Sequence, residues 1–171
     1  MKQVYVLLSR TQTLPSRFVH KFTGGNFTHA SLSLHPRTDS FFSYARRNRR
    51  NILIAGMISE DTQKNIFAEY PESPCVLHEL TVDDGAYERI KSRVDLYRAN
   101  FKKAKYNFVG ALLMRMGIVW RRRYRLTCSQ FVAISLLEGG VELPKDPYLM
   151  MPNDFMEIDG YRKIYDGSVK N

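Results

Sequence analysis

Residues 126–140, Leu-Thr-Cys-Ser-Gln-Phe-Val-Ala-Ile-Ser-Leu-Leu-Glu-Gly-Gly, constrain the fold more than any other stretch. Thr127 and Ser129 are residue types that cap helix starts, because their oxygens accept from free backbone N–H groups. Gly139 and Gly140 supply a left-handed stop. Between these signals Phe131, Val132, Ile134, Leu136 and Leu137 leave little polar surface. Such a helix is largely buried, so the rest of the chain must cover it. It also carries Cys128 in its first turn. The helix dipole there favours thiolate over thiol, which makes a sulfur nucleophile when a base is near.

The cover is expected to be a sheet. Residues 4–8 are apolar throughout and predict a buried strand. Residues 27–35 alternate: Phe27, His29, Ser31, Ser33 and His35 face one way, and Thr28, Ala30, Leu32 and Leu34 the other. This is a strand with one apolar face. The turn Pro36-Arg37-Thr38-Asp39 returns it into a second strand at 40–45. Further strands are expected at 51–58, 75–82 and 161–165, and residues 59–74 read as irregular. Pro15 opens a short helix that ends at Gly24-Gly25. Asp83-Asp84 caps a helix running to about Lys103, and another spans 108–116. With no linker and no repeat, the chain reads as one α+β domain over 1–171: an antiparallel sheet packed against the cysteine helix.

The apolar run near the N-terminus is far shorter than the ~20 residues of a membrane span, and too short for a signal-peptide core. A cytoplasmic protein is therefore expected. Two cysteines, Cys75 and Cys128, are too few for a disulfide framework. His20, His29, His35 and His78 make no close ligand spacing with them, so no metal and no cofactor is expected.

The formal charge is +9. It gathers in Arg46-Arg47-Asn48-Arg49-Arg50 and in Arg121-Arg122-Arg123-Tyr124-Arg125, two candidate contacts for an anionic polymer or membrane surface. A solvated loop is the plainer account of each. No motif for specific nucleic-acid binding is present.

One pair carries chemistry. His29 stands on the polar side of a strand, and Cys128 at the start of a buried helix. A helix packed on the sheet brings them together although they lie far apart in sequence. Imidazole can then take the thiol proton and return it to a leaving group, while N–H groups at the helix start hold the oxyanion. A strand histidine with a local hydrogen bond and a small buried cysteine are the competing accounts. His35 at the turn reads as solvated. His78 and Cys75 read as structural, and Trp120 as an anchor or a stacking surface.

Thr127-Cys128-Ser129-Gln130-Phe131-Val132 resembles the cysteine motif of the NlpC/P60 hydrolase superfamily, in which Cys-Ser-Gly-hydrophobe-Val opens the helix. Thr28-His29-Ala30-Ser31-Leu32-Ser33-Leu34 resembles that superfamily's histidine strand. Tyr106-Asn107-Phe108-Val109-Gly110 is similar to its Tyr-Asp/Asn segment. Here histidine precedes cysteine, which is the order of the circularly permuted, papain-like branch with its YiiX-type and lecithin:retinol acyltransferase-like members. The resemblance implies a circularly permuted papain-like (NlpC/P60) fold and a thiol hydrolase or acyl-transfer site. Two departures stand out. Gln130 replaces the glycine after Cys-Ser, and the family's third polar residue, often Glu, falls near Ser43. Ser43, Tyr44, a backbone carbonyl or a group from elsewhere in the chain is then expected to orient the ring. Tyr5, Ser9, Tyr44, Tyr106 and Gln130 are the candidate substrate contacts.

Three functions follow as expectations. The first is a cysteine amidase or peptidase acting on a small amide, for instance a peptidoglycan-type peptide. The second is a thioesterase or acyltransferase acting on lipid with the same pair. The third is a basic binding module without catalysis.

Overall fold

The first strand, β1 (Lys2–Ser9), buries both its faces from Val4 onward. It belongs to a computed structural model that describes residues 1–10, 25–36, 40–48, 51, 54–61 and 70–169. Val4, Val6 and Leu8 join the main core, and Tyr5 and Leu7 a second apolar cluster on the opposite side. A strand whose side chains alternate between two faces buries both only when each side of the sheet is covered.

Around β1 the sheet adds β2 (His29–Ser33), β3 (Phe41–Arg46), β4 (Ala55–Glu60), β5 (Pro74–Val82), β6 (Lys105–Tyr106), β7 (Arg125–Leu126) and β8 (Arg162–Ser168). The strand order is β7-β6-β4-β3-β2-β1-β5-β8. Every pairing is antiparallel except that of β6 with β7, which run parallel. The sheet is thus mixed, where a purely antiparallel one was expected. The reason is local: β6 and β7 each feed directly into a helix, and running side by side they deliver two helix starts to one place.

Those helices are α2 (Phe108–Arg115) and α3 (Cys128–Glu138). The longer α1 (Asp84–Ala99) precedes them, and a 3-10 helix, Pro152–Glu157, follows. The α+β class is as expected. In α3 every residue from Cys128 to Leu136 is buried. It packs on β2 and β3, and α1 closes over it and over β1. Phe131 meets Tyr44 and Tyr97 at ring centroid distances of 5.6 and 5.7 Å. Tyr44 and Tyr97 themselves meet edge to face, the arrangement that aromatic quadrupoles favour.

Several boundaries differ from expectation. The short helix expected after Pro15 lies outside the described residues up to position 24. The histidine strand spans five residues, 29–33, and its serine side is buried as well: Ser31 and Ser33 are fully enclosed. The fourth strand continues through Ser59 and Glu60, beyond the expected end at Ile58. The long helix stops at Ala99, where Asn100 folds its side chain back onto the Leu96 carbonyl. The last strand runs to Ser168. Among the described residues no helix is long and apolar enough to cross a membrane.

Candidate active site

Thr127 caps α3 through its hydroxyl, which accepts from the Gln130 N–H. The Gln130 side chain accepts in return from the Thr127 N–H, which completes a capping box. The helix start is therefore fixed by its own sequence, and Cys128 is its first residue. Backbone N–H groups of Ala30 and Ser129 both donate toward the sulfur.

His29 opens β2 opposite Ser9 of β1. Its Nε2 lies 2.8 Å from Glu60 Oε1. The Cys128 sulfur stands close enough to the imidazole to help raise the ring's pKa and to have its own lowered in return. Glu60 ends β4 and is buried. Its Oε1 accepts a second bond, from Ser43 Oγ, at 2.8 Å. Ser31 stands close enough to favour the carboxylate, though its hydroxyl meets no partner at full hydrogen-bond geometry. The result is a hydrogen-bonded line, His29–Glu60–Ser43, with the Cys128 sulfur beside its histidine end.

The charges support one another along it. Burial pushes the His29 ring toward its neutral form, but the Glu60 charge and the bonds to Cys128 and Glu60 raise its pKa well above the usual value. Burial likewise pushes the Cys128 thiol up. The bond to His29, its charge and the N–H groups of Ala30 and Ser129 overcome this and hold the thiol below its ordinary range. Glu60 is lowered too: burial opposes it, but the His29 charge and bond win, with Ser43 and Ser31 helping. A thiolate–imidazolium pair held by a carboxylate is the arrangement that follows. Cys75 shows the contrast, since burial pushes its thiol up to about 11.

Tyr106 comes next to this line. Residue 106 of β6 pairs with Leu126, two positions before Cys128, and the Asn107 N–H donates to the Leu126 carbonyl at 3.0 Å. The Tyr106 hydroxyl is kept protonated by burial and by the nearby sulfur.

The expected site residues thus divide. Cys128, His29 and Tyr106 come together, and Ser9 sits beside His29 with its buried hydroxyl lacking a partner. Ser43 is near but acts one step back: it holds Glu60, and Glu60 holds the ring. Three expected substrate contacts are engaged elsewhere. Tyr44 is fully buried in the aromatic core, under α3. Gln130 is occupied by the capping box and by a bond to the Tyr148 carbonyl. Tyr5 lies opposite Ser33, four positions along β2 from His29, and turns toward Glu79.

Glu60 is the residue that sequence reasoning missed. A signal was present, since residues 55–60 read Ala-Gly-Met-Ile-Ser-Glu, and extending the strand by one alternation places an acid on the face of Ser43.

The basic clusters divide as well. Arg47 is a structural clasp: its guanidinium donates to the carbonyls of Met57, Phe101 and Ala104 and covers the Phe101 ring. Arg49 and Arg50 lie outside the described residues. Arg121 pairs with Asp146 at 2.7 Å. His78 is buried against Tyr161, and His35 is exposed. Among the described residues no group of three or more His, Cys, Asp or Glu side chains is placed to hold a metal ion.

Compared with models of protein families and with curated proteins, the chain matches none.

Proposed function

We propose that this protein is a thiol hydrolase of the circularly permuted, papain-like NlpC/P60 type, with Cys128 as nucleophile, His29 as acid and base, and Glu60 as the orienting carboxylate. The observation that carries this reading is the enclosed Glu60 2.8 Å from the His29 ring, with the Cys128 sulfur acting on that same ring. A small inert cysteine needs no imidazole beside it, and a strand histidine needs no enclosed acid behind it. Perturbed titrating groups gathered at one place mark functional sites.

The steps follow from the residues. The Cys128 thiolate attacks a carbonyl carbon, and the carbonyl oxygen takes up the negative charge. N–H groups at the start of α3 and the protonated Tyr106 hydroxyl are the donors at hand for it. The C–N bond then breaks as the His29 imidazolium gives its proton to the departing amine, which leaves a thioester on Cys128. Water attacks that thioester, His29 takes the water proton, and the acid departs from the restored thiolate. Glu60 keeps the imidazolium charged and aimed throughout, as orienting acids do. An amide, such as a peptidoglycan-type peptide, is the substrate class of this reading. The same steps cleave an ester or thioester when the leaving atom is oxygen or sulfur.

The enclosed Glu60 weighs against a binding module that has lost its chemistry. The test is turnover of dipeptide amides and p-nitrophenyl esters by the native protein, Cys128→Ala and His29→Ala. Both variants should lose all measurable turnover. Native protein inert on both substrate classes, with Cys128 no more reactive than Cys75, would reject the proposal.

A further inference from the structure

Among the described residues, the outer surface of α2 has no partner. Phe108, Val109, Leu112, Met116 and Ile118 are 42%, 57%, 62%, 65% and 45% exposed. Phe108, Leu112 and Met116 follow at steps of four and Val109 stands three before Leu112, so these side chains form one stripe and are not scattered. The helix turns only Gly110 and Met114 inward. Single exposed apolar residues are ordinary on a protein surface, whereas a contiguous stripe marks an interaction face.

Cations adjoin it. Arg115 ends the helix and is exposed. After the turn at Gly117, where φ is +73°, come Trp120 and the exposed Arg122, Arg123 and Arg125. Arg122 lies over the Trp120 ring at 4.9 Å. None of Arg115, Arg122, Arg123 and Arg125 makes an ion pair among the described residues.

The stripe also leads to the nucleophile. Phe108 packs on Tyr106 with ring centroids 4.8 Å apart, and Tyr106 is the residue beside the Cys128 sulfur. One ring separates the exposed apolar surface from the candidate reaction centre.

We propose that α2 and the arginines after it form a docking face for an anionic lipid bilayer, and that this face delivers membrane-borne acyl lipids to Cys128. An anionic polymer would use the arginines but leave the apolar stripe in water. A second copy of this chain would cover the stripe but bring the same cations face to face. A bilayer takes both, since apolar side chains enter the headgroup–acyl boundary and arginines meet the anionic headgroups, with Trp120 at the level such rings prefer. The docking half stands by itself. The delivery half rests on the thiol chemistry proposed above in its ester and thioester form, in place of the amide, with the acyl substrate presented at a membrane.

The experiment is sedimentation of the full chain with phosphatidylcholine vesicles and with mixed phosphatidylglycerol–phosphatidylcholine vesicles, comparing native protein with the double variant Leu112→Glu, Met116→Glu. Native protein should bind the mixed vesicles, and the variant should lose roughly tenfold or more of that binding. Iodoacetamide labelling of Cys128 should proceed equally in both, which shows that the variant is folded. Hydrolysis of a long-chain acyl ester carried in the vesicles should fall with binding, while a short soluble ester is cleaved as before. Equal vesicle binding by the two proteins overturns the docking face. So does binding of the double variant to heparin that matches the native level when neither protein binds vesicles, and so does native self-association that the variant abolishes without any vesicle binding. Vesicle binding lost in the variant with long-chain turnover unchanged overturns delivery. Failure of the thiol chemistry is seen separately, as Cys128 labelling no faster than Cys75 whatever the vesicles do.

Discussion

Glu60 Oε1 lies 2.8 Å from His29 Nε2, and the carboxylate is 5% exposed. An acid so placed has a definite task. Enclosure alone would strip the proton from the imidazole, and the opposing charge of Glu60 reverses that.

Replacing Glu60 by Gln keeps the shape and removes the charge. His29 is raised in the native protein by Glu60, so its pKa falls in Glu60→Gln. The imidazolium, present below its pKa, is then lost at lower pH, and the alkaline limb of the activity profile moves down. The Cys128 thiolate loses part of its partner, so the acid limb moves up. The profile narrows from both sides, and kcat/KM at its optimum drops by ~10²-fold or more. A pH–rate profile checks this. An unchanged alkaline limb would remove Glu60 from the line.

The two thiols should differ sharply toward iodoacetamide. Cys75 is pushed up to about 11 by burial, so its thiolate at neutral pH is roughly one part in ten thousand. Cys128 is held below the ordinary thiol range by His29 and by the Ala30 and Ser129 N–H groups. Mass spectrometry after brief exposure at neutral pH should find the label on Cys128, and His29→Ala should abolish the preference. Equal slow labelling of both sites would contradict the ion pair.

Much of this site was legible in the sequence, and the limit is instructive. Cys128 was readable because its helix announces itself locally: Thr127 and Gln130 form the cap, and the apolar run follows. His29 was readable from the alternation of β2. Glu60 was not, because the expected strand ended at Ile58, two residues short of it. What extends β4 to Glu60 is its register against β3, where Phe41 pairs with Glu60, and such pairing is not visible along one strand. The serine side of β2 misled for the same reason. Serines suggest solvent, yet Ser31 and Ser33 are enclosed, with Tyr5, Leu7, Phe41 and Cys75 gathered on that side of the sheet. Phe101 extended the helical spacing of α1, but it lies beyond the helix end, under the Arg47 guanidinium.

Gln130 separates a structural from a binding role. It closes the capping box of α3 and bonds the Tyr148 carbonyl at 2.9 Å. Gln130→Ala should cost about 1–2 kcal/mol in chemical denaturation, with KM for a short ester unchanged. A raised KM without lost stability would restore it as a substrate contact.

Gly56 offers a test of what holds the acid strand in place. A Cβ built there would run into the Ala104 carbonyl oxygen and the Arg47 guanidinium. That carbonyl already accepts from Arg47 Nη2 at 2.7 Å and from the Met57 N–H at 3.1 Å. These bonds clasp β4 to the segment that continues into β6 and Tyr106. Backbone at this distance has nowhere to retreat without breaking the clasp, unlike the far end of a flexible side chain. Gly56→Ala should therefore destabilise the protein by about 1–3 kcal/mol. Because β4 carries Glu60 at its far end, the same change should also slow Cys128 labelling in the fraction that stays folded. A variant as stable as the native protein, with native labelling, would show that β4 is held by its pairing with β3 alone.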